Sequence, residues 1–236
     1  MENPSNSLEW MLFLTEKYLK MFVQGTWITL YIAVIGTILG FILGYIIGII
    51  QDMKLSDGDF FLKKILASFL KTIATAYVEI FRDTPMIVQA MIIYYGIRQA
   101  GVELTPVVAG ILVTVLNTGA YMAETVRSGI EAVDKGQMEG ALSLGFSPIR
   151  AEMYVILPQA VATSVPAFTA NIIFLLKETS VFSAISLMDL MFTAKDLIGL
   201  YYKTTECLLL LVIFYLIILL PVSALGSVVE KKLRFV

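Results

Sequence analysis

The chain has 236 residues, no histidine and one cysteine, and only 15% of it is charged. Without histidine there is no imidazole to act as general base, triad member or metal ligand. Cys207 alone cannot close an internal disulfide or build a thiolate metal cluster; in its apolar run it reads as a packed thiol. Seventeen Lys and Arg against nineteen Asp and Glu leave a net charge of −2. No basic excess exists to displace counterions, which excludes nucleic acid as a partner. No GxxxxGK[ST] phosphate loop occurs, so the chain does not bind ATP in that way. No internal repeat is evident. With histidine, cysteine pairs and facing carboxylates all missing, no catalytic set is visible, and the chain reads as a non-enzyme.

Hydrophobic residues, by contrast, make up 58% of the chain, and mean hydropathy is +0.84. Average soluble domains hold about 45–50% apolar and about 25% charged residues, so an ordinary soluble globule is excluded. Uncharged runs locate the membrane: 31 residues from Met21 to Gln51, 20 from Leu104 to Ala123, 24 from Met153 to Leu176 and 23 from Cys207 to Val229. About 20 apolar residues cross a core of ~30 Å. A fifth region is interrupted by Glu79, Arg82 and Asp83 and carries Pro85, which disfavours α geometry in the residue before it. The expected fold is an all-α integral membrane protein with five transmembrane helices. They lie at about 21–51, 68–97 (kinked), 104–130, 158–178 and 205–229, in one transmembrane domain over 1–236; six spans, two of them short, are the alternative. Glu2 and Glu9 stand where a signal peptide has basic residues, so none is expected. Leu8, Met11, Leu12, Leu19 and Phe22 recur at helical spacing, as an interfacial helix or a lead-in to the first span.

Loop cations set the orientation. One side carries Lys54, Lys63, Lys64, Lys71, Arg127, Lys135, Arg150, Lys231, Lys232 and Arg234, and the other Lys17, Lys20, Arg98, Lys195 and Lys203. This bias puts the amino terminus outside and the carboxyl terminus in the cytoplasm, as five spans require.

Two helical faces stand out. Gly36, Gly40, Gly44 and Gly48 repeat every fourth residue, a ridge that lets another helix approach closely, within this chain or from another. Thr114, Asn117, Thr118, Tyr121, Glu124 and Thr125 follow steps of three and four along one face of the third span. Such a face looks into protein or water. Read functionally, Asn117, Tyr121, Glu124, Thr114 and Thr118 line a path for a polar solute, with Glu124 attracting a cationic group. Read structurally, Glu124 pairs with Arg127 three residues on. Asn171, Phe174 and Glu178 form a shorter face on the fourth span. Glu79, Arg82 and Asp83 read as self-neutralising, with a gating role as the alternative.

Between the third and fourth spans, residues 134–157 read as a helical hairpin. A short helix over Gln137–Leu144 ends at Gly145; Ser147 then caps a second helix led by Pro148. Ala141, Leu142, Leu144 and Phe146 give this cytoplasmic loop apolar surface, which points to a docking partner.

The hairpin carries a resemblance. Glu139-Gly140-Ala141, Gly145 and Ile156-Leu157-Pro158 are similar to the EAA loop of ABC importer permeases, with Gly140 in place of the first Ala. GTWITL (25–30), YVEIFRDTPMIVQ (77–89), AYMAETVRSGIEAV (120–133), LPQA (157–160) and LLKETS (175–180) extend the likeness over about residues 20–230. As an ordered set they resemble the polar amino acid uptake branch, the binding-protein-dependent inner membrane components.

That resemblance implies a subunit in the cell inner membrane, paired with a second permease, identical or paralogous, around a central path. Two ATP-binding cassette subunits would dock on the coupling hairpins and carry the ATP and magnesium; this chain itself needs no cofactor. An external solute-binding protein would deliver the amino acid. Glu139, Gly140, Ala141, Gly145 and Phe146 would shape the coupling hairpin, and Leu157 and Pro158 its exit into the fourth span. An acidic group on the path would favour basic substrates such as arginine or histidine. The competing reading is an ion-coupled secondary transporter or channel using Glu124, for which an apolar cytoplasmic knob has no purpose.

Overall fold

The computed structural model describes residues 4–53 and 60–233. Among them all regular structure is helical. Lys54 and Arg234, two of the cations expected on the cytoplasmic side, lie outside the described residues.

Helix α1 (Ser7–Asp52) runs unbroken for 46 residues, about 69 Å at 1.5 Å per residue. That is more than twice a ~30 Å hydrocarbon core, and the stretch from Leu8 to Phe22 is its lead-in rather than a separate helix. Helices α2 (Phe61–Asp83) and α3 (Met86–Gln99) are divided at Thr84-Pro85. Thr84 is extended, with φ −115° and ψ 143°, because the following pyrrolidine ring excludes the α conformation. Helix α2 begins earlier than position 68. Its buried residues Ala67, Ala74 and Val78 fall on one face, so the amphipathic pattern, not the absence of charge, sets its extent. After α3 the Val102 N–H returns to the Ile97 carbonyl at 3.3 Å around Gly101 at φ +86°, a left-handed closure of the helix end.

Helix α4 (Pro106–Glu131) starts with proline at its first position, and Thr105 Oγ1 accepts the Val108 N–H at 3.3 Å. Two short helices follow, α5 (Lys135–Ser143) and α6 (Pro148–Ala151), then a π-helical turn over Glu152–Ile156 and helix α7 (Leu157–Glu178). A 3₁₀ segment (Thr179–Ile185) leads to α8 (Leu190–Tyr201) and α9 (Thr204–Leu233). Among the described residues, four stretches are long and apolar enough to cross a membrane: Ser7–Asp52, Pro106–Glu131, Pro148–Ile185 and Thr204–Lys232. The broken α2–α3 pair accompanies them.

The contacts divide the chain into two compact units. The first holds residues 4–36, 86–114 and 173–224. Ile32, Met86, Ala90, Val113, Phe182 and Ile185 form one of its buried clusters. In another, Phe22 stacks on Phe214 with ring centres 4.5 Å apart, beside Leu14, Leu190 and Leu197. Gly25 lets α1 touch the start of α8: a Cβ there would lie 2.9 Å from the Asp189 carbonyl. Asp189 is fully buried and caps α8 by accepting the Phe192 N–H at 2.8 Å. Burial pushes its carboxyl up to about 7. Tyr201, at the other end of α8, hydrogen-bonds Tyr18 (2.7 Å) and Lys17 (3.0 Å).

The second unit holds residues 37–53, 60–85, 115–172 and 225–233. Val126, Ile130, Ile156, Leu157 and Ala160 are its buried cluster, and Phe41 packs edge-on against Phe168 at 4.8 Å. Helices α4 and α7 cross where Gly129 meets Ser164; a side chain on Gly129 would overlap Ser164 Oγ.

The glycine ridge of α1 packs within the chain. In the first unit Gly36 faces Thr114, and in the second Gly40, Gly44 and Gly48 face Thr118, Met122 and Val126. An added Cβ would sit 2.6 Å from Thr118 Cβ at Gly40 and 2.9 Å from the Ala123 carbonyl oxygen at Gly48. Each glycine costs the helix roughly 0.5–1 kcal/mol relative to alanine, and the close approach of α4 offsets that cost.

Candidate functional site

The second unit carries a polar cluster where α2 ends against α4. A helix leaves its last carbonyls without backbone partners. Here side chains supply them: Thr84 Oγ1 donates to the Ile80 carbonyl at 2.6 Å, and Asn117 Nδ2 to the Phe81 carbonyl at 3.1 Å. Tyr77 OH donates to the Leu116 carbonyl at 2.7 Å. Arg82 lies over the Tyr121 ring, 5.9 Å from its centre, and 3.6 Å from Glu124 Oε2. Arg127 grips Glu124 with two bonds, 2.6 Å and 3.1 Å, and reaches Glu131 at 2.6 Å.

Two guanidinium groups therefore meet two carboxylates, and the cluster is close to neutral. Glu124 is held by Arg127 and approached by Arg82, which is the structural pairing weighed from sequence. Arg82 turns to α4. The stripe expected along α4 is divided: Asn117, Tyr121 and Glu124 meet the end of α2, whereas Thr114 and Thr118 are buried, 0% and 1% exposed, in the seam with α1. Threonines this small fit the glycine ridge, and step-of-four spacing alone did not separate the two surfaces. Sequence reasoning missed Tyr77 as a partner of α4. Its signal was present in the face shared by Ala74, Tyr77, Val78 and Phe81.

The hairpin lies in the same unit. Asp134 Oδ1 accepts the Gly136 N–H at 2.7 Å to start α5. The turn closes with Gly145 N–H to the Leu142 carbonyl (2.9 Å) and Phe146 N–H to the Ala141 carbonyl (3.1 Å). Gly145 sits at φ +83°, a conformation side-chain-bearing residues resist. Ser147 Oγ accepts the Arg150 N–H at 3.4 Å, with Pro148 at the first position of α6. Glu139 and Gly140 are exposed on α5, and Gly140 has nothing within 4 Å of where a Cβ would stand.

Ala141, expected on the apolar surface, is instead buried at 5% exposure, because it faces inward from α5. The projecting residues are Leu144 (81%), Ile149 (77%) and Tyr154 (73%), with Phe146 beside them at 38%. Leu157 is buried in the cluster with Val126 and Ile130, while Pro158 is exposed. Ile149 escaped sequence reasoning because the four-residue α6 carries too little periodicity to show a face, and Tyr154 because it lies in the π turn.

Residues 64–235 match the family model described as "Binding-protein-dependent transport system inner membrane component". The chain belongs to that family. It is 33% identical over 165 residues to the probable glutamine ABC transporter permease protein GlnM of Bacillus subtilis (strain 168), covering 70% of this chain and 76% of that protein. It is 35% identical over 163 residues to the arginine transport system permease protein ArtQ of the same organism, covering 69% and 74%. A chain from "Crystal structure of an amino acid ABC transporter with histidines" superposes with a TM-score of 0.83 at 30% identity, covering 98% of this chain and all of that one. The chain is thus a multi-pass inner membrane permease subunit of an amino acid ABC importer, a transport subunit rather than an enzyme.

Proposed function

We propose that this chain moves a polar amino acid inward through alternating access, driven by two separate ATP-binding cassette subunits. Each would seat one hairpin of a permease pair, made of two copies of this chain or of this chain and a close paralogue. The observation that carries the reading is the hairpin: a capped, glycine-turned element with Leu144, Ile149 and Tyr154 projecting from it. Exposed apolar groups of this size mark a surface that another protein covers. ATP and magnesium belong to the partner ATPase, and an external solute-binding protein supplies the substrate. The amino terminus lies outside and the carboxyl terminus in the cytoplasm.

Within the substrate class we propose basic amino acids, arginine or histidine, with Glu124 as the acidic group and Asn117 and Tyr121 as hydrogen-bonding neighbours. A cationic substrate would take the place of Arg127 or Arg82 at Glu124. Relatives named for glutamine and for arginine fit a polar class that contains both. The ion-coupled alternative gains nothing from this geometry, since Glu124 is engaged by two guanidinium groups.

Two measurements test the reading. Co-expressed with its candidate ATPase, the chain copurifies with it; Ile149→Glu or Leu144→Glu releases the ATPase while membrane insertion is kept. Retention of the ATPase by both variants overturns the docking surface. In proteoliposomes uptake requires ATP, and arginine and histidine outcompete glutamine and glutamate; a preference for glutamate overturns the basic assignment.

A further inference from the structure

The joint between the hairpin and α7 is irregular in a specific way. Across Glu152–Ile156 the backbone follows π geometry, so the Leu157 N–H bonds to the Glu152 carbonyl, five residues back. Such a turn holds one residue more than the α-helix it interrupts. Pro158 follows and offers no N–H, so the Tyr154 carbonyl, four residues earlier, loses its helical donor. The segment that links a projecting hairpin to a span therefore has a thinned backbone ladder.

Gln159 bridges this joint. Its side-chain Nε2 donates to the Val155 carbonyl at 2.8 Å, inside the π turn, and to Gln137 Oε1 at 3.3 Å, on α5. One amide at the start of α7 thus holds both the turn and the first helix of the hairpin. Close by, Met138 of α5 packs against the cluster of Ile156, Leu157 and Ala160. Apolar contacts are non-directional and allow the hairpin to slide, whereas hydrogen bonds fix orientation.

We propose that Gln159 is a positioning residue for energy coupling: it clamps the π turn to α5, so that the hairpin and α7 move as one lever. The inference rests on the docking reading above, because a lever matters only where a motor pulls it. A side chain that merely filled space here would be replaceable by leucine. A clamp would not be, because leucine keeps the volume and loses both donated bonds.

The test uses the permease with its ATPase in proteoliposomes, reading substrate moved per ATP hydrolysed. Gln159→Leu keeps ATPase stoichiometry and ATP hydrolysis but lowers that ratio about threefold to tenfold, the scale set by one or two ordinary hydrogen bonds. Gln159→Lys, which retains a donor of similar reach, recovers much of the ratio. Gln137→Leu alters only the exposed partner on α5 and gives a smaller loss; Gln137→Leu/Gln159→Leu is no worse than Gln159→Leu alone, because both act through one tie. An unchanged ratio in Gln159→Leu, or additive losses in the double variant, overturns the inference. Should Gln159→Leu fail to insert, Gln137→Leu carries the test, and an unchanged ratio there overturns it equally. Ile149→Glu separates the two readings. If both that variant and Leu144→Glu keep the ATPase, the docking reading falls and this one with it. If it loses the ATPase while Gln159→Leu couples normally, only the clamp falls.

Discussion

Thr118 on α4 occupies the space that a side chain on Gly40 of α1 would need, its Cβ 2.6 Å from where that Cβ would stand. The seam is set by the missing atoms on one helix as much as by those present on the other. Gly40→Leu forces the helices apart and costs about 1–3 kcal/mol or more, read as a lower melting temperature in detergent. Gly96→Ala on α3, where nothing lies within 4 Å, leaves the melt unchanged or raises it. The swap Gly40→Ala/Thr118→Gly regains most of what Gly40→Ala alone loses. Equal melts for Gly40→Leu and Gly96→Ala contradict the seam.

That seam also marks how far sequence spacing alone determines packing. Local chemistry was legible: Pro85 divides α2 from α3 through Thr84, Gly145 turns the hairpin at φ +83°, and Ser147 with Pro148 starts α6. Each depends on neighbours in sequence. The four-residue glycine spacing announced close packing, but its partner was not legible, since spacing fixes a face and not what it meets. For the same reason Thr114 and Thr118 were grouped with Asn117 and Tyr121, although α1 takes the first pair and α2 the second. Ala141 and Ile149 were misjudged or missed because a nine-residue helix and a four-residue one give too little periodicity to tell inside from outside.

Gly140 stands in α5 where the family pattern has alanine, and its surroundings are open. Gly140→Ala stabilises the hairpin by about 0.5–1 kcal/mol by restricting the unfolded chain and leaves ATPase docking intact. Gly145→Ala behaves oppositely, since φ +83° costs a non-glycine residue about 1–2 kcal/mol. Protease protection of the hairpin in membrane vesicles distinguishes them: Gly140→Ala is cut more slowly than the parent and Gly145→Ala faster. The reverse order rules out a left-handed turn at Gly145.

Glu124 accepts two bonds from Arg127 and lies 3.6 Å from Arg82. Glu124→Gln keeps the shape and removes the charge both guanidinium groups answer to. If a basic substrate exchanges with them at Glu124, arginine uptake falls about tenfold, the scale of one or two bonds to a charged group, while glutamine uptake falls much less. Equal losses for arginine and glutamine assign Glu124 to architecture alone. Arg82→Gln, which removes the more distant cation, leaves Arg127 in place and has the smaller effect on either substrate.

Asp189 gives the first unit a pH dependence of known sign. Its carboxyl is buried at the start of α8, with Phe192 N–H on one oxygen and the charge of Lys195 of α8 acting against the burial. Burial raises it from 3.8 to about 7. Below about pH 4 the folded and unfolded chains both hold the proton, and the stabilisation is complete. As pH rises toward 7 the unfolded chain releases its proton and the folded chain keeps it. Stability then drains away, by up to about 4 kcal/mol once the folded group also ionises. Melts of the detergent-solubilised chain therefore fall between about pH 4 and pH 7 and level off above that. Asp189→Asn keeps the helix cap, since asparagine caps as well as aspartate, and it flattens that slope. A parent protein more stable at the higher pH would mean that Asp189 is ionised in the folded state and that its burial is compensated by Lys195.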